Sequence, residues 1–344
     1  MYWARRGSVD ATRQFDLSQE KRNYSVSRSR RSVSRDHAWR GLSGIVTIVL
    51  YSAACAYGQS TSVSDREGVT VVQQNGKMLL EYRSQSNPMK LYVSKWFTPA
   101  GIQILRDSPH DHVHHRALMF AVGVDGCDFW SEEPADQYGK QVATGALSTS
   151  SASSNGDTRV TLQQAIRWDT PQQVCAANES RTIVLDAEAN AKYSLLTWCS
   201  TLSPPEGKTT IELWGRHYFG LGARFIESMD KGARFVTPGN ETGREVRGTE
   251  KVTRANWCAL YGDADGKPVT VAMFYAPENP RHPAAWFTMT DPFAYLSATL
   301  DLDVEKLTVT SDKPLKVCYG VAAWDGHVKK AEIERAYQAW LKKR

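Results

Sequence analysis

From Val69 onward the chain is broken into short runs of β-branched and aromatic residues, separated by Gly, Asn, Asp and Pro. Segments punctuated at that spacing cannot grow into long helices, and they have the length and composition of strands. The runs are Val69–Gln73, Met78–Arg83, Leu91–Ser94, Ala117–Val124, Arg159–Trp168, Thr182–Leu185, Tyr193–Ser200, Thr209–Gly215, Val269–Tyr275, Trp286–Met289 and Leu307–Thr310. Apolar and polar residues alternate along Thr209–Trp214 and Lys306–Thr310, as half-buried antiparallel strands require. Asn75-Gly76, Asn155-Gly156 and Asp265-Gly266 fall between runs and suit hairpin turns with positive φ. Only Lys329–Lys343 reads as helix, with Ile333, Ala336, Tyr337 and Trp340 on one stripe. The expected fold is therefore all-β, an antiparallel β-sandwich closed by a C-terminal helix. It occupies 68–344 as a single domain, behind a leader at 1–58 and a polar linker at 59–67, with Ser148–Asp157 as an exposed loop.

The leader carries most of the charge. Residues 1–40 hold ten Lys/Arg and four Asp/Glu, so +6 of the net +5 sits there and the remainder is −1. A nearly neutral domain gives no electrostatic ground for nucleic acid or an anionic membrane as partner. Gly41–Ala54 is uncharged and apolar, follows Arg40, and precedes small residues ending at Gly58. That order of basic, apolar and small residues is a secretory signal, with cleavage expected after Gly58 and a periplasmic or extracellular destination. Ser29–Arg35 partly resembles a twin-arginine signal. Beyond the leader no apolar run is long enough for a membrane-spanning helix. Five cysteines remain after Cys55, none in a C-x-x-C pair, so no zinc ribbon is indicated. Cys175 and Cys199 end neighbouring candidate strands, so they are either a disulfide or buried free thiols.

Four of the eight histidines lie in His110-Asp111-His112-Val113-His114-His115, on a loop that leads into the apolar run Ala117–Val122. Pro109 favours an extended Ser108. An extended backbone would put His110, His112 and His114 on one face, and a helical turn would pair His110 with His114 and Asp111 with His115. Three readings follow. His110, His112 and His114 would suit a divalent transition metal. A single histidine oriented by Asp107 or Asp111 would serve as a general base. Imidazoles hydrogen-bonded within a packed loop would have only a structural role. Downstream, Trp130 and Glu132 follow a short turn. Glu212, His217 and Arg224 flank a glycine-spaced strand end, where glycines signal close backbone approach. His282 and Trp286 lie on a proline-stiffened loop. Eleven tryptophans and fourteen tyrosines supply core, and also flat faces for a sugar.

Taken in order, Trp96–Gly101, Asp107–Phe120, Gly126–Trp130, Gly220–Phe225, Trp257-Cys258, Asn279-Pro280 and Trp286 resemble the bacterial family catalogued as PmoA, "methane oxygenase". The resemblance runs from about Leu80 to the C-terminus, and the Asp-His-x-His-His block is its most specific part. A membrane-bound oxygenase subunit needs several apolar helices that this chain lacks beyond its leader. The resemblance implies instead a carbohydrate context and a galactose-mutarotase-like supersandwich, with a small-molecule or oligosaccharide ligand. By that analogy His112 or His114 is general acid or base, and Glu212, His217 or Glu241 is its partner. The same analogy implies Trp130, Trp257 or Trp286 as the stacking floor. The implied catalytic set is His110, Asp111, His112, His114, His115, Glu212 and His217. The implied substrate contacts are Arg116, Trp130, Glu132, Arg224, Glu241, Trp257, His282 and Trp286.

Overall fold

The computed structural model describes residues 60–85, 89–154, 157–188, 190–239 and 241–344. The leader and the Asn155-Gly156 turn lie outside the described residues. Two large antiparallel sheets dominate. The first has ten strands, edge to edge Thr61–Arg66, Val69–Gln74, Lys77–Arg83, Tyr92–Trp96, Leu118–Ala121, Gly220–Arg224, Tyr295–Thr299, Ala284–Met289, Lys251–Ala255 and Arg244–Glu245. The second has nine. Arg234–Val236, Trp257–Ala264, Lys267–Tyr275, Leu315–Asp325, Ser194–Ser203, Cys175–Ala187, Asp157–Asp169 and Lys140–Ala143 follow in order, and Ser148–Ser154 also pairs with Asp157–Asp169. A small four-stranded sheet contains Thr210–Trp214 and Leu307–Thr310.

The two large sheets pack face to face, as their rings show. Phe120 of the first lies 6.1 Å from Trp168 and 6.3 Å from Tyr319, both of the second. The outer face of the second sheet is covered by the helix Lys330–Lys343, which buries Ile333, Ala336, Tyr337 and Trp340 against Ala272, Phe274, Ala322 and Trp324. Removing each of these large side chains from water contributes roughly 1.5–3 kcal/mol. The Trp340 indole also donates to Thr197 Oγ1 at 2.9 Å, which fixes the helix on the sheet. The antiparallel sandwich and terminal helix are thus those expected from the patterning. Two of the expected hairpin turns form with positive φ throughout, Asn75 at 52° and Gly76 at 75°, Asp265 at 51° and Gly266 at 78°.

Several local expectations are corrected. The linker is, from Thr61 to Arg66, an edge strand paired in register with Val69–Gln74. The serine-rich tract is likewise a strand, Ser148–Ser154, with every side chain exposed, so hydrophobic pattern could not announce it. The run Ala117–Val124 splits into Leu118–Ala121 and Gly123–Val124, which enter different sheets. The disulfide joins Cys199 to Cys318, which are register partners on adjacent strands, while Cys175 is a free thiol opposite Asp169. Leu315–Asp325 was missed as a strand because both its faces are covered, one by the core and one by the helix, which removes the alternation. Among the described residues, no helix is long and apolar enough to cross a membrane.

Candidate functional site

The histidine loop is closed at its base by an antiparallel bridge between Asp107 and Arg116, and Ser108 N donates to the His115 carbonyl at 3.0 Å. Between them the chain makes two tight turns, with His112 N donating to Pro109 O and His115 N to His112 O. The loop is therefore neither extended nor helical, and Ser108 takes a φ of +46° despite the following proline. This path gathers His112, His114 and His115 and leaves His110 exposed. His112 stacks on His115 at 4.7 Å and 18°, and His114 meets His115 edge-on at 4.6 Å.

Among the described residues, no three His, Cys, Asp or Glu side chains converge as a metal-ligand set. The metal arrangement expected of His110, His112 and His114 is not assembled: His110 turns to solvent, and His112 and His114 meet edge-on with ring centroids 5.6 Å apart. What converges is a cavity of about 390 Å³, whose lining includes all three clustered imidazoles. Phe293, Tyr295, Phe287, Met289 and Tyr218 make most of the remaining wall, and Glu250 and Arg247 bring the charge.

Two acid–base groups line this cavity, each backed by a neighbour. His112 Nδ1 lies 3.1 Å from Asp111 Oδ2, and Arg224 Nη2 stands 3.5 Å from the same oxygen. Burial alone would raise Asp111, but the His112 contact and the Arg224 charge outweigh it and hold the carboxyl below its usual range. The second group is Glu250, with only 8% of its side chain exposed. Its Oε1 accepts from Arg247 at 2.8 Å, and its Oε2 lies 3.4 Å from His217 Nε2. The turn Arg247–Glu250, closed by Glu250 N donating to Arg247 O, places this carboxylate just before the strand Lys251–Ala255. Three strands of the first sheet separate that strand from the one following the histidine loop, so the two groups rise from opposite sides of the cavity.

Burial sets the state of the imidazoles between them. Desolvation, joined by the nearby Lys90 charge, pulls His114 down to about 4. Desolvation pulls His115 much further, helped by His114, His112 and Arg224. Both are neutral at pH 7.

Arg116 and Glu132, expected as ligand contacts, form a buried ion cluster behind the loop. Glu132 accepts from Arg116 Nε at 3.0 Å and Lys90 Nζ at 2.6 Å, and Lys90 also reaches the His114 carbonyl at 3.5 Å. The cluster positions the loop. Trp130 is buried beneath His115, stacked on Phe219 at 5.1 Å. Arg224 is likewise buried under the site.

The other expected residues lie elsewhere. Glu212 is exposed and paired with Lys306 at 2.6 Å in the small sheet. Glu241 lines a separate cavity with Lys251 and Lys330. The Trp257 indole donates to Glu334 on the helix at 2.6 Å, and Trp286 is core with its indole donating to Ala255 O. His282 is exposed, with Tyr275 stacked 6.3 Å away. His217 does reach the site, behind Glu250. Glu250, Phe293 and Tyr295 went unnoticed because each is a single residue whose neighbours in sequence are unremarkable, and Tyr218 because only its neighbour His217 drew notice.

The glycines at Gly220 and Gly222 have a definite use. A Cβ on Gly222 would stand 2.1 Å from the Tyr295 hydroxyl, and one on Gly220 would stand 2.1 Å from the Ala298 carbonyl. The close approach inferred from their spacing is made by the neighbouring strand Tyr295–Thr299, and it lets Tyr295 lie across the cavity floor.

Comparison of shapes gives distant resemblances. The GH36 α-galactosidase AgaA from Geobacillus stearothermophilus aligns with a TM-score of 0.44 at 9% identity, over 78% of this chain and 41% of its own. The α-galactosidase from Lactobacillus brevis gives 0.39 at 9% identity, over 78% and 40% respectively. The Slr1438 protein from Synechocystis sp. PCC 6803 gives 0.35 at 8% identity, over 78% and 96%. The chain thus spans less than half the length of the two galactosidases. No curated protein matches it. Residues 69–338 match DUF6807, described as a family of unknown function, and the chain belongs to that family.

Proposed function

We propose that the protein is an exported carbohydrate-active enzyme that carries out acid–base chemistry on a sugar or oxidised sugar held in the cavity at the histidine loop. One observation carries this reading. His112, with Asp111 beside it, and Glu250, with His217 beside it, line one aromatic-walled cavity from opposite sides. An imidazole oriented by a carboxylate and a second carboxylate across a ring-sized space can take a proton from one ligand oxygen or carbon and return it at another. The rings of Tyr218, Phe287 and Phe293 supply the apolar faces against which a sugar's C–H groups pack. In this scheme His112 and Glu250 are the proton-transferring groups, Asp111 and His217 position them, and neutral His114 accepts or donates a hydrogen bond. The Cys199–Cys318 pairing suits an oxidising compartment and so supports export. The α-galactosidase similarities and the PmoA resemblance are in keeping with a carbohydrate setting, and the reading does not rest on them.

The test is a panel of reducing sugars, sugar acids and oligosaccharides followed by NMR for anomer exchange, epimerisation, elimination or cleavage. A responsive substrate is expected, with Glu250→Gln and His112→Asn each losing on the order of 100-fold in rate. Saturable binding with no turnover of any member would replace the enzyme with a glycan-binding module. Turnover unchanged in both variants would remove the function from this cavity.

A further inference from the structure

We propose that the floor of the cavity receives a carboxylate, and hence that the ligand is an acidic sugar rather than a neutral one. The inference rests on the carbohydrate reading above and narrows it. Four side chains under the cavity carry buried polar atoms with no hydrogen-bond partner in the protein: Arg224 through Nε and Nη1, Tyr295 through its hydroxyl, Trp130 through Nε1 and His115 through Nδ1. All four residues are more than nine-tenths buried. They form one group. Arg224 and Tyr295 are register partners on adjacent strands, so their side chains share a face. Tyr295 lies 4.8 Å from His115 and 6.3 Å from Trp130, ring to ring, and His115 lies 6.4 Å from Trp130. His115 and Tyr295 open directly onto the cavity.

Two of these groups can only donate, and the other two are able to. A guanidinium and an indole N–H only donate, a phenol donates readily, and neutral imidazole donates as its Nδ1–H tautomer. A buried donor without an acceptor costs about 1–3 kcal/mol, and four together mark a place shaped for something rich in lone pairs. Arg224 also brings a positive charge that the protein neutralises only at a distance. Its Nη2 alone faces Asp111 at 3.5 Å and Asp230 at 3.8 Å, while its other face lies over the Phe293 ring at 3.4 Å. A ligand hydroxyl would accept from one or two donors and leave the charge as it was. A carboxylate, with two oxygens and about four lone-pair directions, answers both the donors and the charge.

An array of neutral and uronate-containing oligosaccharides tests this, each acidic hit being measured again as its methyl ester, which keeps the shape and removes the charge. The expected result is that hits carry a carboxylate and that the ester binds about 10- to 100-fold more weakly, as for a lost charge-assisted hydrogen bond. Arg224→Gln and Tyr295→Phe, checked for an unchanged fold by circular dichroism, should narrow the acid-to-ester ratio, and Tyr295→Phe serves alone if the arginine variant fails to fold. Neutral glycans or esters binding as tightly as the acids would overturn the carboxylate and leave the carbohydrate reading intact. No binding by any glycan would overturn that reading, and this inference with it.

Discussion

His112 and His115 stack face to face at 4.7 Å with their planes within 18°, one opening onto the cavity and the other buried at its floor. Two imidazoles so placed cannot both carry a proton without strong repulsion, and the buried one loses the contest. His115 is thereby held neutral beneath His112.

This neutral state makes stability sensitive to acid. His115 is held below its ordinary range in the folded protein by burial first, and His114 is held at about 4. Unfolded imidazoles titrate near 6.5, so below that pH the unfolded chain binds more protons than the folded one. Stability is therefore complete above about pH 6.5 and falls as pH drops, with His115 contributing up to about 1.4 kcal/mol per pH unit. The His114 part of the loss levels off as pH passes about 4. Thermal melts from pH 8 to 4 should show a falling melting temperature that starts near pH 6.5, with a shallower slope in His115→Asn. Equal slopes in the two proteins would show that His115 is not held neutral.

Glu132 is a carboxylate shared by Lys90 and Arg116 at hydrogen-bonding distance, and 3% of its side chain is exposed. Burial pulls Lys90 down to about 8 even with Glu132 opposing the shift. Replacing Glu132 by Gln leaves buried Arg116 and Lys90 without their carboxylate partner, which costs about 3–5 kcal/mol. Urea denaturation is the measurement. A loss under about 1 kcal/mol would mean that the cluster does not hold the loop.

Gly222→Ala places a methyl group on the Tyr295 hydroxyl and should destabilise the protein by about 1–3 kcal/mol through overpacking. The double variant Gly222→Ala/Tyr295→Phe removes the atom nearest the clash. It should recover part of the loss, and a double-mutant cycle measures the coupling. Additive losses would mean that Tyr295 does not lie against Gly222.

The sandwich was legible where strands keep one face to the core or end in Asn-Gly and Asp-Gly turns, as at Asn75-Gly76 and Asp265-Gly266. It was obscured at Leu315–Asp325, covered on both faces, and at Ser148–Ser154, covered on neither. Half of the cavity's polar lining was visible as the histidine cluster, and the fold sets Asp111 beside His112 and His217 beside Glu250. The other half was hidden because it is assembled across strands. Glu250 gains its standing from His217, distant in sequence, and Arg224 from Phe293 and Tyr295 beyond it. Tryptophans were poor guides, since Trp257 and Trp286 spend their indoles on internal hydrogen bonds.

The central claim, that the histidine-loop cavity is where a sugar-class ligand binds, is most directly tested by histidine-selective 15N NMR during titration with the tightest glycan from the array. The predicted result is saturable change in the imidazole resonances of His112, His114 and His115, with His217 following and with exposed His282 and distant His327 unmoved. A saturating ligand that shifts His282 or His327 while leaving the three loop imidazoles unchanged would contradict it.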